Sequence, residues 1–355
     1  MKTRPDTPAT DIKDIQHGSL SGVRPVLLSG VYRSGTTFLT AAINNLPSFA
    51  AASSTVKYLR FCIPHHDNLE DAANLNNLLA EIAARILARW DLVLDTHGIE
   101  QSLQDQPKNH ATVYNAVMQS LLVNEKATAT RWAEKLAMQW RDIPLFLKMF
   151  PEGQVIHIFR DPRDVTSSYK KMTYEAWPTF MDASLNCKAA MIDVPKYAEQ
   201  FGDNRVLMLK AEDMAADLHQ QMEKICTFLG EDFSASCADL SQFSEIKGED
   251  WRTNSSFDET DPNFSKATSR WQDTLSNEEL FLVEMLCQPH MSALGYAGSQ
   301  QITETLDPSA LGQLLNDPWL AKRINSYLST GTPEQGYRSD PYKTEMDIVF
   351  GSDER

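Results

Sequence analysis

The chain has 355 residues, of which 42% are hydrophobic, and it carries a formal net charge of −15 at pH 7. This length and apolar content suffice for one large α/β domain or two small ones. The strong negative charge argues against a protein that binds nucleic acid and against a basic protein that lies on a membrane surface.

The five cysteines are odd in number and show no C-x-x-C spacing, which predicts reduced thiols rather than a metal site or a disulfide framework. The N-terminus has no apolar stretch typical of a signal peptide. No apolar run approaches the roughly 20 residues that a membrane-spanning helix needs. We therefore expect a soluble, cytoplasmic protein.

The first half of the chain alternates between strand and helix patterns. Residues 1–23 are polar and rich in proline and threonine, which predicts a flexible N-terminal arm. RPVLLSG predicts a buried strand that ends at Gly30, and TTFLTAAINNL predicts a helix directly after it. DAANLNNLLAEIAARILARW predicts an amphipathic helix, DLVLDTHG the next strand and HATVYNAVMQSLL another helix.

The second half continues the alternation. QVIHIFRDPRDVTSSYKK predicts strand, turn and helix, and NRVLMLKAEDM predicts a strand before a helix that ends at Gly230. NEELFLVEMLCQPHMSALGY predicts a last core helix. We predict an α/β fold, a single domain over residues 24–298 with a central, mostly parallel sheet flanked by helices. Residues 299–355 are expected to form one C-terminal helix, around LGQLLNDPWLAKRINSYL, and a polar tail.

The stretch GVYRSGTT, residues 30–37, lies in a predicted strand-to-helix turn. Its spacing is that of the phosphate loop G-x-x-x-x-G-K-[ST], but Thr36 stands where the lysine belongs. The N–H groups and the positive end of a helix attract an anion without a lysine. Arg33 adds a cation, and the hydroxyls of Ser34, Thr36 and Thr37 add donors. We interpret the stretch as a P-loop-like strand–loop–helix that binds an anion.

A second candidate site is HIFRDPRDVTSSY, residues 157–169. Arg160 closes a predicted strand and so lies at the carboxyl edge of the sheet, where open α/β folds bind ligands. Asp161 is expected to cap the next helix, with Asp164 completing the capping arrangement. A capped helix explains the two aspartates well, but it explains Arg160 and the serines poorly. Arg160 and Ser168 are placed to meet around one phosphate across the turn.

In order and spacing, these segments resemble the sulfotransferases that use 3′-phosphoadenosine 5′-phosphosulfate (PAPS). YRSGTTF is similar to the family's 5′-phosphosulfate loop, and FRDPRDVTSSY to its 3′-phosphate motif. RWAEKLA resembles the E-K-T-P segment, with Leu136 and Ala137 in place of threonine and proline. VLMLKAEDM resembles the Y-E-D-L segment, with Ala211 in place of tyrosine. NSSF and SKATSRWQDTLSNEEL resemble the late cofactor-covering loop, so the resemblance spans residues 24–296.

The resemblance implies in-line transfer of the sulfuryl group from PAPS to a hydroxyl or amine of a small-molecule acceptor, without a metal. The product nucleotide is adenosine 3′,5′-bisphosphate (PAP). Arg33 and Lys135 are implied to stabilise the sulfuryl and bridging oxygens. The implied cofactor contacts are Ser34, Gly35, Thr36, Thr37 and Phe38 at the 5′-phosphate, Arg160 and Ser168 at the 3′-phosphate, and Arg270 or Lys266 closing over the 3′-phosphate from the late loop.

The acceptor needs a general base, and two candidates stay open. Glu134 precedes Lys135 in the matched segment, although an ion pair with neighbouring lysines also explains it. His97 follows the strand predicted in DLVLDTHG, and an imidazole titrates in the range that proton transfer at neutral pH requires. His157 lies inside a predicted strand and is expected in the core.

Two other functions remain open. A P-loop small-molecule kinase would lack the loop lysine and a convincing aspartate for magnesium. A nucleotide-binding module that kept the fold and lost turnover agrees with the altered residues Leu136, Ala137 and Ala211. We expect a small-molecule acceptor and no nucleic-acid or membrane partner, and a homodimer is left open.

Overall fold

The computed structural model describes residues 17–53, 56–123, 126–170, 180–238, 268–299 and 306–331. Five parallel strands form one sheet in the spatial order β2-β3-β1-β4-β5. The strands are β1 (Val26–Gly30), β2 (Phe49–Ser53), β3 (Arg131–Lys135), β4 (Gln154–Phe159) and β5 (Val206–Lys210). The predicted α/β fold with a central parallel sheet is confirmed.

Helices connect the strands. Between β1 and β3 lie α1 (Thr36–Asn44), α2 (Tyr58–Phe61), α3 (Ala72–Trp90), α4 (Thr96–Ser102) and α5 (His110–Met118), the last continued by a π-helical turn (Gln119–Val123). Between β3 and β5 lie a 3₁₀ turn (Trp140–Asp142), α6 (Ile143–Met149), α7 (Pro162–Tyr169) and α8 (Phe180–Phe201). After β5 come α9 (Ala211–Ala216), α10 (Leu218–Leu229), 3₁₀ turns at Ala235–Ala238 and Arg270–Asp273, α11 (Asn277–Cys287), α12 (His290–Ala293), α13 (Pro308–Leu315) and α14 (Pro318–Thr330). Among the helices described here, none is long and apolar enough to span a bilayer.

The sheet separates two hydrophobic cores because successive side chains of a strand point to opposite faces. One core lies on the face covered by α1 and α10, and the other lies on the face covered by α3, α5, α6 and α8. On β3, Ala133 belongs to the first core, whereas Trp132 belongs to the second, as does Leu136 directly after the strand. The same alternation directs the side chains of Glu134 and Lys135 to opposite faces of the sheet.

The strand order fixes where a ligand is expected. From β1 the chain passes to β2 on one side of the sheet, whereas from β4 it passes to β5 on the other side. The crevice between the carboxyl ends of β1 and β4 is therefore a topological switch point, where open α/β sheets bind their ligands.

The prediction of a strand in DLVLDTHG is wrong. Residues 91–95 lie outside the sheet, and the Val93 side chain is 90% exposed. Asp95 caps α4 by accepting a hydrogen bond from the Gly98 N–H, so His97 lies in a helix. The strand that prediction overlooked is β2, whose sequence FAAAS is rich in a helix-forming residue. Its strand conformation comes from pairing with β3.

The C-terminal part also differs from prediction. Two helices replace the single one, because Asp317 caps a new helix whose first residue is Pro318. The predicted last core helix ends at Cys287, shortly before Pro289, and the short α12 follows it. In the predicted N-terminal arm, the Leu20 N–H donates to the Met149 carbonyl. The domain boundaries themselves stay predictions.

Candidate active site

The loop between β1 and α1 has a backbone that requires glycine at two positions. Gly35, the N-cap of α1, has a φ of 93°. A Cβ on Gly30 would lie 2.6 Å from Ser34 Oγ and 2.9 Å from the Ile158 carbonyl oxygen. Arg33 also adopts a left-handed conformation, with a φ of 67°, which is uncommon for a residue with a side chain. Such conformations concentrate at functional sites, so the loop is a candidate site on geometry alone.

The N terminus of α1 suits an anion. Within the described residues, no side chain caps this helix end, and its first turn carries no acidic residue. The first N–H groups of a helix have no partner inside the helix, and its positive end attracts negative charge. Lys135 Nζ, from β3, donates to Thr37 Oγ1 at 3.1 Å. A lysine from the neighbouring strand thus lies at this helix end, although the loop itself has none.

The other loop side chains have different surroundings. Ser34 Oγ donates to the Val31 carbonyl over 2.6 Å, so this hydroxyl closes the loop. Thr36 is buried, and its methyl group lies against Gly30, 2.7 Å from where a Cβ on that glycine would stand. Phe38 is buried in the core on the α1 face of the sheet. Among the predicted 5′-phosphate contacts, the Thr37 hydroxyl lies within hydrogen-bond distance of a cation, Lys135.

Arg33, Arg160 and Ser168 meet in the crevice between β1 and β4. Arg33 Nε donates to Ser168 Oγ at 2.9 Å, and Arg160 Nη1 donates to the Arg33 carbonyl at 2.6 Å. Arg160 is only 3% exposed. The sequence predicts that Arg160 and Ser168 meet across the turn, and in the structure Arg33 links them. Loop, strand end and helix α7 therefore form one cluster.

The charges around Arg160 are mixed. Burial lowers the pKa of Arg160, the nearby positive charge of Arg270 acts in the same direction, and Asp164 and Glu212 oppose both. A guanidinium remains charged in proteins even after such a shift. Arg270 itself lies between Ser269 and Trp271, whose backbone N–H groups both donate to Asp164, one helical turn after Arg160. Lys266, the alternative to Arg270 in the sequence analysis, lies outside the described residues.

The two aspartates of the R-D-P-R-D segment have separate roles. Asp161 caps α7 by accepting from the Arg163 N–H. Asp164, expected to complete the cap, instead accepts from the N–H groups of Ser269 and Trp271, at 2.8 and 3.2 Å. Its expected capping role is therefore wrong. No local sequence signal indicates this contact, because an aspartate at this helical position is equally typical of a cap.

Glu134 lies in the core that contains α5. It is 0% exposed, and the Tyr114 hydroxyl donates to its Oε2. The Tyr58 ring stacks on the Tyr114 ring with centroids 4.5 Å apart. Because Lys135 leaves β3 on the other face, the two residues do not converge as their adjacency in sequence suggested.

His97 is exposed on the first turn of α4, where its Nε2 lies 2.8 Å from Gln101 Nε2. The prediction of His97 as a general base depends on a strand directly before it, and the structure has no strand there. His157 is buried beside Ser29, with its Nδ1 3.2 Å from Ser29 Oγ, in agreement with the core position expected for it. Burial lowers the pKa of His157 to about 3.

Two residues after β3 were not identified from the sequence. Met138 has a φ of 67°, and its N–H donates to the Gly30 carbonyl at 2.7 Å. The Tyr32 N–H donates to its sulfur at 3.4 Å. Gln139 is 2% exposed, and neither atom of its amide has a hydrogen-bond partner among the described residues. No local sequence signal marks either residue, because both features depend on how the turn packs against the loop.

Comparison with known proteins gives one family. The model of the sulfotransferase family matches residues 25–235, more than half of the chain. No curated protein matches the chain in sequence.

Solved structures share the fold of this chain, among them two sulfotransferase domains. A sulfotransferase domain from the curacin biosynthetic pathway is 17% identical, with a TM-score of 0.54 over 79% of this chain and 100% of that domain. The sulfotransferase domain of the Synechococcus PCC 7002 olefin synthase is 16% identical, with a TM-score of 0.53 over 80% of this chain and 99% of that domain. At these identities the likeness concerns the fold.

Proposed function

The chain belongs to the sulfotransferase family, and we propose that it transfers the sulfuryl group of PAPS to a hydroxyl or amine of a small-molecule acceptor. The observation that carries this proposal is the cluster of Arg33, Arg160 and Ser168 in the crevice between β1 and β4. PAPS differs from ATP in carrying a 3′-phosphate. A buried arginine with a serine hydroxyl nearby provides charge-assisted hydrogen bonds for such a group.

The residues fit both phosphate ends of the donor. Arg160 and Ser168 would hold the 3′-phosphate, and the N terminus of α1 with Thr37 would hold the 5′-phosphate. When bound, PAPS supplies a sulfuryl group that leaves the 5′-phosphate oxygen for the acceptor oxygen or nitrogen. Lys135 and Arg33 would stabilise the negative charge on the oxygens around this bond, because fixed cations need no reorganisation as the charge develops.

A pair of variants tests which residue takes the proton of the acceptor. We expect Glu134→Gln to lower stability and to leave the pH dependence of kcat unchanged, because this carboxylate is enclosed in the core beside Tyr114. A loss of kcat by about 10²–10⁴ is expected of a variant that lacks the general base. Such a loss in His97→Gln, with unaltered thermal stability, would assign the base to His97. The same loss in Glu134→Gln at unaltered stability would assign it to Glu134.

Thermal unfolding of the whole chain tests which nucleotide the protein binds. It is measured with PAP, with ADP, and with ATP together with Mg²⁺. A ligand that binds only the folded state raises Tm, and we expect PAP to raise it most. Stabilisation by ATP and Mg²⁺ without stabilisation by PAP would overturn the proposal and favour a kinase. If PAP binds, PAPS is supplied with a panel of hydroxyl and amine acceptors. Absence of sulfate transfer across that panel would leave a nucleotide-binding module instead.

A further inference from the structure

Helix α7 contacts two different parts of the molecule. Ser168 accepts a hydrogen bond from Arg33 of the loop. Arg163 and Asp164, near the start of the helix, instead contact residues 269–273, which we call the late turn. These segments are more than 100 residues apart in sequence. The helix therefore connects the loop with a part of the chain that follows the sheet.

Asp164 holds the late turn on both sides of Arg270. Its carboxylate is buried and accepts from the backbone N–H of Ser269 at 2.8 Å and of Trp271 at 3.2 Å. Ser269 has a φ of 62°, a left-handed conformation that a residue with a side chain adopts only when its surroundings enforce it. The backbone that carries Arg270 is thus fixed from both neighbours by one carboxylate.

Arg163 provides a second contact to the same turn. Its guanidinium lies 4.5 Å from the centre of the Trp271 ring, a cation–π distance. The same group pairs with Asp161 at 2.6 Å and with Glu284 of α11 at 2.8 Å. These ion pairs orient Arg163, so the late turn packs on a side chain that is itself held in place.

The fixed position matters because Arg270 and Arg160 carry the same charge and repel each other. Two like charges favour separation unless the backbone that carries one of them is held in place. The carboxylate of Asp164 attracts Arg160 and binds the backbone beside Arg270. One acidic side chain thereby acts on both Arg160 and the backbone that carries Arg270.

We infer that Asp164 is a positioning residue that holds Arg270 at the 3′-phosphate end of the nucleotide crevice, opposite Arg160. The inference rests on the proposed function. The 3′-phosphate is then bound by a divided site, with Arg160 and Ser168 on one side and Arg270 on the other. Asp164 touches no part of the nucleotide and acts through the late turn.

The test compares Asp164→Asn, Arg270→Ala and the double variant, with dissociation constants for PAP and for AMP measured by calorimetry. AMP lacks the 3′-phosphate. We expect Arg270→Ala to weaken PAP binding by about 10- to 100-fold, the range for a hydrogen bond to a charged group, and to leave AMP binding unchanged. Asp164→Asn should show most of that loss for PAP alone. The double variant should bind PAP no more weakly than Arg270→Ala, because the two residues act through one contact.

Asp213→Asn is the matched control, since Asp213 is an exposed acid on α9, and it should bind both nucleotides like the wild type. If Asp164→Asn does not fold, hydrogen exchange of the wild type replaces it. PAP, but not AMP, should then slow exchange at the amides of residues 269–271. Equal slowing by both nucleotides would contradict the inference.

The outcomes separate the inference from the proposed function. A wild type that binds AMP as tightly as PAP overturns the proposed function and the inference together. A wild type that prefers PAP, with the preference lost in Arg270→Ala and kept in Asp164→Asn, overturns only the role of Asp164. Additive losses in the double variant overturn it as well.

Discussion

The amino ends of the strands form one edge of the sheet and their carboxyl ends form another, here called the amino edge and the carboxyl edge. The two edges differ in whether their buried polar groups have hydrogen-bond partners. At the amino edge, Arg131 donates to the carbonyls of Arg24 and Leu229 and to the side chains of Glu231 and Gln154. The Gln154 amide nitrogen in turn donates to backbone carbonyls, the shorter contact being 2.6 Å. Here the protein supplies the partners of its own buried polar atoms.

The carboxyl edge is built differently. Arg33, Gly35 and Met138 all have left-handed backbone conformations there. Next to Met138, Gln139 buries an amide with no hydrogen-bond partner among the described residues. Backbone strain and an unpartnered buried amide both cost free energy. The difference indicates which edge serves stability and which edge is shaped for a ligand, in agreement with the position of the crevice between β1 and β4.

The largest effect is expected at the carboxyl edge. Lys135→Ala should lower kcat by about 10²–10³, the range for removing one group that stabilises charge in the transition state. The affinity for PAP should change less, since PAP lacks the sulfuryl group. Steady-state kinetics with saturating PAPS, together with calorimetry of PAP, measure both. Lys224→Ala, at an exposed position on α10, is the control, and an unchanged kcat in Lys135→Ala would contradict the assignment.

The corresponding change at the amino edge should affect stability instead. Arg131→Met removes one partner of a partly buried ion pair with Glu231 and the donor to two backbone carbonyls, and the free energy of unfolding should fall by about 3 kcal/mol. Urea denaturation measures this loss. The kcat of the folded variant should match the wild type, because the substitution lies at the far end of the strands. A loss of kcat without a loss of stability would contradict the assignment of the amino edge to stability and of the carboxyl edge to the ligand.

Acid should destabilise the protein through histidines that belong to neither edge. Burial, chiefly, lowers the pKa of His110 to about 4, and burial lowers that of His157 to about 3. As the pH falls below the ordinary value of about 6.5, the unfolded chain binds protons that the folded chain excludes. Stability is therefore lost as the pH falls toward these values, by about 2 kcal/mol per histidine between pH 7.5 and 5.

Urea denaturation across this pH range checks the acid effect. His110→Gln should flatten the curve by about half, because one of the two buried imidazoles is then absent. A curve as steep as that of the wild type would show that His110 does not contribute.

The smallest expected effect is a change in the free energy of unfolding when a glutamine is replaced by methionine at either edge. Gln139→Met removes an amide without a partner among the described residues and should raise the free energy of unfolding by about 1 kcal/mol. Gln154→Met removes an amide with partners on both atoms and should lower it by a similar amount. Thermal unfolding of both variants gives the two signs. A destabilised Gln139→Met would mean that this amide also has a structural partner.

The sequence alone was sufficient for the class of fold and for the two segments that meet in the crevice between β1 and β4. The signals of the loop and of Arg160 are local, since a glycine spacing and a strand end can be read from a few neighbouring residues. β2 could not be found in this way, because its alanines adopt the strand only through pairing with β3. Conversely, Leu92 and Val93 resemble a strand, yet they lie in an exposed connection.

Nearness in sequence was not a reliable guide to which residues share the site. Glu134 and Lys135 are neighbours in the chain, but strand alternation directs them to opposite faces. The contact of Asp164 with the late turn joins distant segments, and no spacing rule reports it. The same holds for Gln139, whose missing partner is a property of the packed turn.

The ion pair between Arg323 of α14 and Asp182 of α8 bears on where the chain can be cut in a fusion or a chimaera. Asp182 is 1% exposed and lies 3.1 Å from the Arg323 guanidinium. The family match ends at residue 235, well before α14. A gene fusion or recombination that joined a new partner directly after that point would discard both Arg323 and the late turn. A chimaera that keeps the chain through α14 should therefore be more stable than one that ends after residue 235.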